Sequence, residues 1–267
     1  MSPGEWDADA AALAARVAAT LREALGAELI SVIVHGSLAM GCYRAPKADV
    51  DMLAVCARPL SPVKRKTISE ALLRAHEARG SGAGLEMSLV TADAARSAAH
   101  PMPYELHFAC ETDVTEAVRA GTMDYGNGRT DPDLAAHVTV ARARGVALVG
   151  PPAAEAFAPM PWRHYLDALE TDIAWALEPA RLADNPVYFV LNACRVLQIE
   201  ALGEGTVMSK AEGAAWGIAH LPTQYAPMIA AVLAHYLSGA AEGSAAVDRD
   251  AVGKFAEFVR CRTFRAD

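Results

Sequence analysis

At 267 residues, 53% of them hydrophobic and 21% charged, the chain is long enough for two cores of modest size and too apolar for disorder. A net charge of −8 argues against a nucleic-acid partner, which would call for basic patches, and suits a small cationic substrate. No run approaches the ~18–20 continuous apolar residues of a membrane helix, the N-terminus lacks the basic-then-apolar pattern of a leader, and the scattered Cys42, Cys56, Cys110, Cys194 and Cys261 form no C-x-x-C pair, so a cytoplasmic protein with reduced thiols is expected.

The first element is a helix, with Leu13, Val17, Leu21 and Leu25 at four-residue spacing and Gly26 as its stop. The apolar strand LISVIV follows, then Gly36-Ser37, where a helix opening at Ser37-Leu38 would aim free N–H groups at an anion. An Asp-x-Asp is embedded in the next strand, DVDMLAV. Side chains alternate along a strand, so Asp49 and Asp51 share one face while Val50 and Met52 take the other. Two carboxylates in one small volume repel unless a cation sits between them, and a hard divalent ion with oxygen ligands, Mg2+, is the expected guest. Alone, Gly-Ser is ordinary turn chemistry and Asp-x-Asp a common solvated strand edge. Inside a strand this apolar, two unpaired carboxylates would be costly to bury.

Ser61 as cap and Pro62 at the first position begin a second helix, ended by Gly80. In the strand LEMSLV, Leu85, Met87 and Leu89 form the apolar face and leave Glu86 and Ser88 opposite. Glu86 either joins the two aspartates, if its strand lies beside theirs, or faces solvent. Asp131-Pro132 and Gly145 bound a third helix, which leads into the strand at 146–150. The eight dispersed histidines, of which His100 and His107 are the closest pair, offer no zinc spacing, and each reads as a surface or satisfied core residue.

After Pro151-Pro152 only helical stretches remain, near 162–179, 186–202, 209–219, 222–238 and 246–263, with a small-residue loop from Gly239 to Ala246. In the nearly all-apolar helix VYFVLNACRVL, Arg195 requires a partner, either an interdomain salt bridge or a ligand. Ser209 and Glu212 form a capping box, which places Lys210 in the first helical turn, at the positive end of the dipole, where an anion would compensate it. The division falls among Pro151, Pro152 and Pro159.

Taken in order, Gly36-Ser37, Asp49-Val50-Asp51 and Glu86 resemble the signature of the DNA polymerase β-like nucleotidyltransferases. More narrowly, the chain resembles the streptomycin/spectinomycin adenylyltransferases, through PMPYELHF (101–108), ARARGVALVGPPAAEAFAP (141–159), LNACRVLQIEALGEGTVMSKAEGAAWGIAHLP (191–222) and AHYL (234–237). The resemblance implies an α+β fold, with a nucleotidyltransferase domain of mixed sheet and helices over residues 1–157 and a helical bundle over 158–267. It implies transfer of AMP from ATP to an antibiotic hydroxyl, with Asp49 and Asp51 on Mg2+ and Glu86 as general base. It also implies Gly36 and Ser37 at the phosphates, Arg195 and Lys210 on the phosphates from the helical domain, and Tyr236 at the nucleotide.

The match departs at Cys110-Glu111-Thr112, where those enzymes carry a tryptophan, at Asn185, where a drug-contacting aspartate falls with Asp184 beside it, and at Ala48, where a serine precedes the first aspartate. These departures bear on the acceptor. The expected partners are ATP and an aminocyclitol whose ammonium groups meet acidic residues such as Glu105, Glu111, Asp167 or Asp184, with no nucleic acid or membrane partner and nothing that demands more than a monomer. The alternatives are the same chemistry on another small molecule or a protein hydroxyl, and a non-catalytic nucleotide-binding regulator.

Overall fold

The computed structural model describes residues 3–45, 48–79, 84–110, 112–239 and 247–263, and the chain divides into two compact units, Met1–His164 and Tyr165–Asp267. In the first, α1 (Ala8–Leu25) opens where Asp7 Oδ1 accepts the amides of Asp9 and Ala10, buries Leu13, Val17, Leu21 and Leu25, and stops at Gly26, whose φ of 54° favours glycine. There follow β1 (Leu29–Val34), the single-turn α2 (Gly36–Ala39), β2 (Asp49–Cys56) and α3 (Pro62–Glu77), which is capped by Ser61 Oγ accepting the Lys64 amide. Gly80, the expected end of α3, lies outside the described residues. Next come β3 (Gly84–Thr91), α4 (Ala92–Ser97), β4 (Met102–Pro103), β5 (Leu106–Ala109), α5 (Thr112–Ala120), β6 (Thr130–Asp131), α6 (Leu134–Arg144), β7 (Val146–Val149) and α7 (Ala153–Ala156). The helix expected from Asp131-Pro132 starts later, because Asp131 Oδ1 accepts the Asp133 amide and closes a turn first.

Five strands form one mixed sheet in the order β5-β3-β2-β1-β7, in which β2 and β3 are parallel and the other pairs antiparallel; β4 and β6 form a second, two-stranded sheet. Both faces of the large sheet are covered. Val50, Met52, Ala54, Leu85, Met87 and Leu89 meet Leu13 and Val17 of α1 and Ile68 and Leu72 of α3 in one core. Their alternates Leu53, Val55 and Val90, with Ile33 of β1, meet Leu134, Val138 and Ala141 of α6 in another. A fully buried side chain of this kind stabilises the fold by about 1.5–3 kcal/mol, so the two cores hold the pleat, and with it the direction of every strand side chain.

In the second unit every regular element described is helical: α8 (Trp162–Ala176), which begins at the division, α9 (Pro179–Asp184), α10 (Pro186–Leu202), α11 (Lys210–His220), α12 (Ala226–Ser238) and α13 (Arg249–Thr263). The fold is therefore α+β. α10 is buried on nearly all sides, with Phe189 tilted against Phe255 of α13 at 6.0 Å between ring centroids. α11 approaches α10 through two glycines: a Cβ on Gly213 would fall 2.5 Å from Arg195 Cα, and one on Gly217 would fall 2.9 Å from Cys194 Sγ. Of the small-residue loop expected after α12, Gly239 ends the helix with φ 71°, and residues 240–246 lie outside the described residues. Among the described residues no helix is long and apolar enough to cross a membrane.

Candidate active site

Parallel pairing of β2 with β3 sets Asp51 opposite Glu86 and Asp49 opposite Gly84. Adjacent strands lie ~4.8 Å apart, so three carboxylates occupy the same end and the same face of the sheet, on the side where Leu53, Val55 and Val90 enter the core with α6. All three residues are half-buried. Two glycines make the crowding possible. A Cβ on Gly36 would overlap Asp51 Oδ2, and one on Gly84 would overlap Asp49 Oδ1 and crowd Cys110 Sγ. Gly36 also has φ 61°, and the amide of His35 before it donates to the Asp51 carbonyl at 2.9 Å, which ties the Gly36-Ser37 turn to the strand. α2 is one turn long, so Gly36 and Ser37 bring local amides and a hydroxyl rather than a developed helix dipole.

Two residues read from sequence as ordinary lie at these carboxylates. Cys110 Sγ donates to Asp49 Oδ1 at 3.5 Å. Burial first, then the charge of Asp49, pushes this thiol up to about 11, so it stays protonated and serves as a donor. His137, on α6, places Nε2 2.9 Å from Asp133 Oδ2 and 3.7 Å from Glu86 Oε1. These three ligand-type atoms lie within 4.8 Å of one another. Burial lowers the His137 pKa, but Asp133, Glu86 and Asp51 outweigh it and lift it to about 10, so the ring is an imidazolium at neutral pH. Its neighbour His35, in edge contact at 5.1 Å between centroids, is held well below the ordinary histidine value by burial and then by the His137 charge. The negative field is also felt at Tyr43, which burial, then Asp7 and Asp49, raise to about 12. A histidine in a helical pattern and a cysteine after a short strand carry no periodic signal, so sequence reading passed over both.

The remaining sequence-derived residues lie in the second unit. Arg195 sits in α10, and its buried Nε has no hydrogen-bond partner among the described residues. Lys210 is the first residue of α11, after a complete capping box in which Ser209 Oγ accepts the Glu212 amide and Glu212 Oε2 accepts the Ser209 amide. Its Nζ lies over the Tyr188 ring, 4.4 Å from the centroid. The close approach at Gly213 brings the first turns of α11 against the backbone of Arg195. Tyr236 lies in the last turn of α12 and is half-buried. Of the acidic residues considered for an ammonium group, Glu105 is engaged inside the fold, its Oε2 accepting from Arg65 at 2.6 Å and from the Leu60 amide at 2.7 Å. Asp184 ends α9, Asp167 lies within α8, and Glu111 is outside the described residues.

Among proteins of known identity, the profile of the aminoglycoside adenylyltransferase C-terminal domain matches residues 155–262. An aminoglycoside (3'')(9) adenylyltransferase from Escherichia coli is 28% identical over 259 residues, covering 93% of this chain and 95% of that protein. Its counterpart from Rhizobium radiobacter is 31% identical over 221 residues, covering 80% of this chain and 78% of that protein. The crystal structure of spectinomycin adenyltransferase AAD(9) from Enterococcus faecialis with ATP and spectinomycin has the same fold, with a TM-score of 0.76 at 16% identity over 95% of this chain and 98% of that one. On these similarities the chain belongs to the aminoglycoside adenylyltransferase family of enzymes.

Proposed function

We propose that this enzyme transfers AMP from ATP to a hydroxyl of an aminocyclitol antibiotic of the spectinomycin or streptomycin type and releases pyrophosphate. The observation that carries the reading is the in-register pair Asp51 and Glu86, with Asp49 two positions before it and Gly36 closed over Asp51. Asp49 and Asp51 are hard oxygen donors on one face of one strand, a set that fits Mg2+. When bound, the ion would neutralise triphosphate charge and orient the α-phosphate. Gly36 and Ser37 bind outer phosphate oxygens through amides and the hydroxyl. Arg195 and Lys210 contribute positive charge to the departing pyrophosphate, and Tyr236 contacts the nucleotide. Glu86 takes the proton of the acceptor hydroxyl as its oxygen bonds to the α-phosphorus, and the bond from that phosphorus to the bridging oxygen breaks to free pyrophosphate.

The deciding measurement is pyrophosphate release from ATP and Mg2+ with spectinomycin, streptomycin, kanamycin, hygromycin and lincomycin in turn, with Asp49→Ala/Asp51→Ala as control. Release that depends on spectinomycin or streptomycin and vanishes in the control is expected. Silence across the panel while ATP still binds would overturn the reading. Within it, Glu86→Gln is expected to lower kcat by about 10²–10⁴-fold and leave the Kd of ATP near wild type.

A further inference from the structure

We propose that His137 is a positioning residue of this site: pinned by Asp133, it holds the Glu86 carboxylate where that group receives the acceptor's proton. The inference rests on Glu86 being the base. Three observations converge on it. First, Nε2 faces two carboxylates from different elements, Asp133 at the start of its own helix, 2.9 Å away, and Glu86 on β3, 3.7 Å away. A solvated i,i+4 helix pair would need only the first. Second, Asp133 occupies the N-cap position of α6 without making a side-chain cap bond, and its Oδ2 is directed at the imidazole instead. The contact that would ordinarily finish the helix end goes to fixing the ring. Third, the ring lies edge to face with His35, the residue before Gly36, whose amide is bonded to the Asp51 carbonyl. His137 thus touches both the base and the turn beside the aspartates.

The orientation of Glu86 needs such a support. A glutamate side chain has three rotatable bonds, and this one is 33% exposed, so its carboxylate can reach solvent as well as the site. The His137 ring is 20% exposed and anchored on two sides, by Asp133 and by His35, and standing 3.7 Å from the carboxylate it limits the rotamers that Glu86 visits. A misplacement of about 1 Å at a reacting group costs up to about 10²-fold in rate, which sets the scale of the expected effect.

The test measures kcat and KM with ATP, Mg2+ and either spectinomycin or streptomycin for His137→Leu, His137→Gln, Glu86→Gln and the double variant His137→Leu/Glu86→Gln, with ATP titration to show that each is folded. His137→Leu should lower kcat by about 10–100-fold with KM for ATP changed less than about twofold. His137→Gln, which keeps an N–H donor, should recover part of that loss. In the Glu86→Gln background the leucine substitution should cost less than about twofold further, because a residue acting through Glu86 has nothing left to position. A wild-type kcat in His137→Leu, or an equal loss with and without Glu86, would overturn the positioning role. If Glu86→Gln itself turned over near wild type, or if neither antibiotic supported turnover in the wild-type protein, the assignment of the base or of the acceptor would fail first and take this inference with it.

Discussion

Gly36 carries two constraints that no other residue type meets together, a φ of 61° and contact with Asp51 Oδ2 that leaves no room for a Cβ. Gly36→Ala is therefore expected to displace Asp51 and lower kcat/KM by about 10²-fold, in excess of any loss of folded protein, as pyrophosphate release and a thermal melt on the same sample would show. Glu105 makes the opposite case. It forms a buried pair with Arg65, the two side chains 12% and 5% exposed, and removing one partner strands the other. Glu105→Ala should cost about 3 kcal/mol in urea unfolding while leaving unchanged, in the folded enzyme, the KM for whichever antibiotic of the panel supports turnover; a raised KM at unchanged stability would return Glu105 to the acceptor site. That Asp49 and Asp51 share one face was legible from strand alternation, whereas alternation left Glu86 either beside them or facing solvent. The nearness of β2 and β3 was not, because pairing between strands separated by a helix leaves no trace in either one. Cys110 and His137 escaped for a related reason: each reaches the carboxylates through tertiary contacts, and neither sits in a pattern that demands a partner.

Among the elements, those with strong punctuation matched their expected ends closely: α1 at Gly26, α3 at Ser61-Pro62, and α11 at its capping box. α4, α5 and α9 went unread, being short segments whose helicity depends on the cores beneath them. α11 illustrates what packing adds. Gly213 and Gly217 lie four residues apart, on one face, and let its backbone close onto Arg195 and Cys194 of α10. Gly213→Val should force these helices apart, costing about 1–3 kcal/mol in urea unfolding, and, on the proposed phosphate role of Arg195, whose backbone forms that contact, should raise the KM for ATP. A variant as stable as wild type would show that the helices can slide to accommodate the side chain.

Across the whole molecule, the α+β character, with strands giving way to helices, was readable from where strand patterns stop, whereas the electrostatic balance was not, because it depends on burial. Glu200 is an example. Burial first, then the charge of Glu170, lifts its pKa to about 7 against the opposing Arg262. A carboxyl raised above its ordinary value of 4.5 favours folding in its neutral form, a contribution fully present below pH ~4.5 and lost as the pH rises through ~7. Glu200→Gln should therefore leave stability unchanged near pH 4.5 and add about 1–2 kcal/mol near pH 8 after allowance for partial exposure, seen as a rise in Tm of roughly 3–6 °C. An equal gain at both pH values would assign the effect to packing instead.

The covering of both sheet faces also sets how this gene can drift in length. Deleting or inserting one codon inside β2 would turn Asp49 and Asp51 toward the core of α1 and α3 and swing Val50 and Met52 into the carboxylate site, losing fold and chemistry in one step. The same change at the exposed Gly121-Thr122 turn would leave every strand in frame. Length variation among descendants of this sequence should accumulate at such turns and be absent from β2 and β3.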